Sequence, residues 1–108
     1  TIMGTVKITV FKRVDPSYIF DGKVPNMHGT DKPFEKCTVF EEGQVYTSKD
    51  GERPEGFCSW AWNDIYKDLS ILNFGGNFWP EWTEPGKILT CCTDGVRPVS
   101  FMMERIEE

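Results

Sequence analysis

Residues 5–11 (Thr-Val-Lys-Ile-Thr-Val-Phe) alternate apolar and polar side chains, so Val6, Ile8 and Val10 share one face of a half-buried strand. The longest regular pattern lies further on. Cys58, Trp62, Ile65, Leu69 and Leu72 fall at i, i+4, i+7, i+11 and i+14, a continuous apolar stripe that predicts a helix over 58–73. Asn63, Lys67 and Ser70 sit on the other side, and Gly75-Gly76 supplies the stop. Residues 87–93 and 96–105 read as a hairpin about Asp94-Gly95, a strong two-residue turn signal. That turn places Thr93 opposite Val96, Cys92 opposite Arg97 and Cys91 opposite Pro98. One face then carries Ile88, Thr90, Cys92, Arg97, Val99 and Phe101, and the other Leu89, Cys91, Pro98 and Met102. Both faces hold apolar residues, so both are expected to be covered, one by the helix and one by loops or a second subunit.

The remaining segments are less regular. Residues 37–47 read as two short strands around Glu41-Glu42-Gly43-Gln44, with Gly43 supplying the positive φ such a turn commonly needs, and Asp50-Gly51 makes a further turn. Residues 15–36, with Pro16, Gly22, Pro25, Gly29 and Pro33, form a long excursion without a steady period, and residues 77–86 an aromatic loop with two prolines. Together these elements predict one α+β domain over residues 1–108, an antiparallel sheet of about five strands with one main helix.

Charge narrows the partners. With 12 basic against 17 acidic residues the net charge is −5, which argues against binding a nucleic-acid backbone. No apolar run approaches the ~20 residues needed to cross a membrane. No basic-then-apolar leader opens the chain, so a cytoplasmic, reducing compartment and free thiols are expected. The four cysteines, Cys37, Cys58, Cys91 and Cys92, match no zinc-finger spacing, and adjacent Cys91 and Cys92 point to opposite faces of a strand. A small domain with apolar residues on both faces of its hairpin is expected to form a homo-oligomer.

Several segments, taken together, resemble one family. They are Cys37 with Val39-Phe40-Glu41-Glu42-Gly43-Gln44, Pro54-Glu55-Gly56-Phe57-Cys58-Ser59-Trp60-Ala61-Trp62, Asp64-Ile65, Phe74-Gly75-Gly76-Asn77-Phe78 and Cys91-Cys92-Thr93-Asp94-Gly95-Val96-Arg97-Pro98-Val99. In these the chain resembles a family of small, functionally uncharacterised proteins, mostly from anaerobic bacteria and archaea, with some fungal relatives. It departs from that pattern in the longer stretch at 15–36 and in the order Phe78-Trp79-Pro80. The resemblance brings no activity with it.

Candidate chemistry centres on thiols and indoles. Arg97 across a strand pair from Cys92 would favour a thiolate there; the alternative is that Cys92 is a small buried hydrophobe. Cys58 sits at the predicted helix start, where amide dipoles favour a thiolate, unless Ser59 is the cap and Cys58 merely begins the stripe. Asp64, one turn after Trp60, is a candidate general base beside a thiol. Trp60, off the stripe, and Trp79 and Trp82, in the aromatic loop, are candidate walls or lid of a ligand pocket, whereas Trp62 and Phe74 are expected in the core. Cys37, Cys58 and one of Cys91 or Cys92 form an alternative soft-metal set for zinc, iron or cuprous copper. His28 reads as a solvated loop residue. The leading expectation is a small cytosolic enzyme or ligand-binding domain acting on a small organic molecule, with Cys92 or Cys58 as the thiolate. A thiolate metal-binding protein and a non-catalytic oligomeric scaffold are the alternatives. One histidine on an acidic chain argues against a Ser-His-Asp hydrolase, and Gly75-Gly76 follows the helix, so it cradles no phosphate.

Overall fold

The alternation at the start of the chain does form a strand. In the computed structural model, which describes residues 4–78 and 84–106, β1 spans Thr5–Arg13 and buries Val6, Ile8 and Val10 on one face. It is followed by α1 (Pro16–Ile19), β2 (Val45–Lys49), α2 (Ser59–Asn73), β3 (Lys87–Cys91) and β4 (Val99–Ile106). The strands make one antiparallel sheet in the order β2-β1-β4-β3. β1 is therefore central, with Ile8 paired to Tyr46 on one side and to Met103 on the other. A bulge at Phe11 shifts the β1–β4 register between Val10 and Lys12.

The apolar stripe turns α2 onto the inner face of the sheet, where it packs on β3, β4 and β1. Ala61, Ile65, Leu69 and Leu72 are buried there, and Cys58 and Trp62 pack against the core from partly buried positions. The helix ends in a Schellman motif: Gly76 N–H donates to the Ile71 carbonyl and Gly75 N–H to that of Leu72, with Gly75 at φ +87°. A Cβ on Gly76 would lie 2.9 Å from Ile71 Cγ2, so the close approach itself requires glycine. Arg105 of β4 donates from Nη1 to the carbonyls of Leu72 and Gly76, placing a cation at the helix C-terminus. The rest of the inner face is covered by aromatic rings. Phe40 and Phe57, both from irregular segments, stand 5.1 and 5.4 Å from Phe101, and both contact Tyr46 of β2.

The sheet has four strands among the described residues, where about five were expected. The difference is residues 37–40. Val10 exchanges backbone hydrogen bonds with Gly43 and Gln44, holding the 41–44 turn to β1, and Gly43 has the expected positive φ. The incoming segment then crosses the inner face, where Phe40 is buried, and forms no ladder along β2. The excursion at 15–36 carries α1 and an isolated bridge between Asn26 and Pro33. Phe74, expected in the core, is 53% exposed at the helix cap.

The hairpin also differs. Neither Asp94 nor Gly95 has positive φ, which a two-residue type I′ turn demands of both. Asp50 and Gly51 do have it and form such a turn, closed by Glu52 N–H on the Lys49 carbonyl. The Asp94 carboxylate instead accepts from the backbone N–H groups of Val96 and Arg97, curling the chain into a longer loop. Cys91 consequently faces Ser100 rather than Pro98, and Cys92 bonds to Val99 rather than opposing Arg97. This is a slip of two residues, the side-chain period of a strand, so every side chain keeps its expected face. Ile88, Cys92, Val99 and Phe101 are buried, while Leu89 and Cys91 are exposed. The outer face was expected to be covered, yet the described residues of this chain leave it open.

These assignments predict opposite outcomes for two leucines. Leu69→Ala, on the buried stripe, should lower unfolding stability by about 2–5 kcal/mol in denaturant titrations. Leu89→Ala, on the outer face, should change the unfolding stability of the monomer, measured at concentrations too low for self-association, by no more than about 0.5 kcal/mol.

Candidate functional site

The inner face is covered by two different structures, and a pocket of about 240 Å³ opens where they meet. Residues 37–40 form one wall, the start of α2 (Cys58, Trp60, Ala61) the second, and the β3–β4 loop (Cys92, Asp94, Arg97) with Val99, the first residue of β4, the third. Three cysteines, one indole and one guanidinium therefore share a cavity with an apolar floor. All four cysteines are free thiols. The volume is below the ~300–1,000 Å³ of drug-sized sites, so an occupant must be small.

Asp94 shapes the third wall. Its partial burial works against the charged form. That is outweighed by hydrogen bonds from Val96 N–H, Arg97 N–H and the Arg97 side chain, so its carboxyl titrates below the usual range. Arg97 Nε lies 3.4 Å from Asp94 Oδ2, and its guanidinium carbon 5.8 Å from the Phe34 ring centroid. The expected Cys92–Arg97 pairing is thus replaced by Asp94–Arg97, because the loop caps itself before the ladder can extend to Arg97. Cys92 is 7% exposed, and its sulfur accepts from Val99 N–H at 3.3 Å. Burial pushes its thiol up; backbone hydrogen bonds from Asp94 and Val99 oppose this, and the charges of Asp94 and Asp64 add to it. Cys92 accordingly rests as a neutral thiol, the buried-hydrophobe alternative, and not as an arginine-supported thiolate.

Cys58 occupies a different environment. It is the N-cap of α2, with its carbonyl accepting from Trp62 N–H, and Ser59 is the first helical residue. Its sulfur makes no capping hydrogen bond. It stands half-buried at the positive end of a 15-residue helix, on the pocket wall.

Asp64, the candidate base, lies near enough to Cys92 for its charge to act on that thiol, but Thr93 engages its carboxylate. Its carboxylate accepts from Thr93 N–H at 2.7 Å and from Thr93 Oγ1 at 3.0 Å. Thr93 Oγ1 in turn accepts from the Trp60 indole N–H at 3.1 Å. Asp64, Thr93 and Trp60 thus tie the helix, the loop and a 65% exposed indole into one latch at the pocket rim. Thr93 and Phe34 had no signal in the sequence: each acts on a partner far away in the chain, 29 residues in the case of Asp64.

Cys37 lines the pocket, and its carbonyl accepts from Arg13 Nη1 at 3.0 Å. Although Cys37, Cys58 and Cys92 share the cavity, no group of three or more His, Cys, Asp or Glu side chains among the described residues is placed to hold a metal ion. The soft-metal set therefore has no geometric support. Cys91 faces away from the pocket, and His28 is exposed in the 15–36 excursion. Trp79 and Trp82 lie outside the described residues. No helix among the described residues is long and apolar enough to cross a membrane. No family model, curated protein or solved structure matches the chain.

The pH dependence of stability should expose the Asp94 cap. Its folded pKa lies below the unfolded value of about 3.9, so its contribution is complete above that value and is lost as pH falls through the folded pKa. The melting-temperature gap between wild type and Asp94→Asn should therefore stay constant from pH 7 to pH 5 and close progressively below about pH 4.

Proposed function

We propose that this domain binds a small organic molecule in the pocket at the start of α2 and presents the Cys58 thiol to it, as a ligand-binding domain or a thiol-dependent enzyme. The observation that carries the reading is the sharing of one cavity by Cys58, Trp60 and Arg97. An accessible thiol, an aromatic face and a cation are the parts a site needs to hold a polar organic ligand against a nucleophile. Of the two thiols considered, Cys58 has the better claim: Cys92 is buried, kept neutral, and already engaged by Val99. Alkylation with iodoacetamide at pH 7.5, mapped by mass spectrometry, tests the assignment. Cys58 should label at least about tenfold faster than Cys92, because only an accessible thiol reacts readily. Faster labelling of Cys92, or an inert Cys58 in folded protein, would contradict it.

A second reading is favoured by the outer sheet face, where Phe11, Leu89 and Ile106 are 45%, 40% and 38% exposed. We propose that this face supports self-association, through which two copies would bury apolar surface that one leaves in water. Sedimentation should show a dimer or larger species at micromolar concentration that dissociates in Leu89→Lys. A wild-type monomer at high micromolar concentration would count against it.

A further inference from the structure

The terminal nitrogens of Arg97 suggest what the pocket binds. Arg97 Nε is engaged by Asp94 and the guanidinium carbon sits by the Phe34 ring, which together fix its position. Among the described residues, Nη1 and Nη2 have no hydrogen-bond partner, and the side chain lines the cavity. A guanidinium held through Nε and open at both Nη groups is a fork for two oxygens of one planar group. Val39, Phe40, Ala61 and Val99 give the same cavity apolar lining, and Trp60 also lines it with its indole N–H committed to Thr93. An indole so anchored offers its ring to a flat partner without losing rotamer freedom on binding.

We propose that the pocket takes a small monocarboxylate, its two oxygens held by Arg97 Nη1 and Nη2 and its flat apolar body placed against Trp60. This rests on the small-molecule reading of the same site and names the ligand class. Asp94 adds selectivity. Its charge is already shared among Val96, Arg97 N–H and Arg97 Nε, so a single negative charge is tolerated beside it, but a dianion such as phosphate meets repulsion. Thr93 is a positioning residue: it touches no ligand and orients Trp60 through its hydroxyl, which Asp64 fixes in turn.

Benzoate, benzylamine and inorganic phosphate, at equal ionic strength, serve as probes with two readouts, protection of Cys58 from iodoacetamide and melting temperature. Benzoate should protect Cys58 and raise the melting temperature, whereas benzylamine and phosphate should do so weakly or not at all. In Arg97→Met the benzoate concentration for half effect should rise at least about tenfold, the cost of a lost charged hydrogen bond. Arg97→Lys, which keeps the charge and loses the fork, should weaken it several-fold and carries the test if the Met variant fails to fold. Thr93→Val should weaken benzoate at unchanged fold, and Thr93→Ser should restore it. Equal effects of benzoate and benzylamine, or benzoate binding that ignores Arg97, would overturn the monocarboxylate assignment while leaving the small-molecule pocket standing. No benzoate effect in either readout would overturn it as well. An inert Cys58 would count against the thiol reading alone, because the melting temperature reports benzoate without it.

Discussion

An α-helix with its side chains is about 10–12 Å across, whereas four strands ~4.8 Å apart present a face roughly 15–19 Å wide. One helix cannot cover that face, and among the described residues only one helix is of useful length. α2 lies over β3, β4 and β1 and does not reach β2 among the described contacts. Irregular chain must therefore supply the rest of the core, and it does so with Phe40 and Phe57, whose rings meet Tyr46 and Phe101. The density of aromatic residues in this chain is a consequence: short segments without a ladder of their own need large side chains to bury enough apolar area.

The same mismatch makes the site. Where helical and irregular cover meet, neither fills the space completely, and the pocket opens between residues 37–40 and the first turn of α2. The β3–β4 loop closes it from the third side because Asp94 caps the loop and brings Arg97 into the wall. The thiols divide accordingly. Cys92 belongs to the ladder end and is withdrawn as a neutral, hydrogen-bonded group, while Cys58 belongs to the helix end and remains available. The helix start, the indole and the guanidinium are held in register by Asp64–Thr93–Trp60 and Asp94–Arg97, two polar connections through one loop.

Periodic features were legible in the sequence. The i, i+4, i+7 stripe marked α2 to within one residue, and the strict alternation marked the buried face of β1. Inward and outward faces of the hairpin were readable even though its register was not, because a slip of two residues preserves them. The register was lost at Asp94, where a side chain that accepts from the backbone overrides the turn preference of the Asp-Gly pair. The path of residues 37–40 was lost for a related reason: burial of Phe40 from an irregular segment leaves no period to detect. Cys58, Trp60 and Arg97 stood out by residue type and position. The contacts of Trp60 with Thr93 and of Arg97 with Phe34 depend on tertiary geometry that local pattern does not encode, whereas the Asp94–Arg97 pair is local, three residues apart.

A benzoate titration followed by ¹H–¹⁵N correlation NMR tests the central claim, that the junction between helical and irregular cover is the binding site. Saturable shifts should concentrate at residues 37–40, at 58–61, and at 92–99, with the Trp60 indole signal among the largest. Shifts concentrated instead on the outer sheet face around Phe11 and Leu89, or an absence of saturable shifts at the pocket walls, would contradict it.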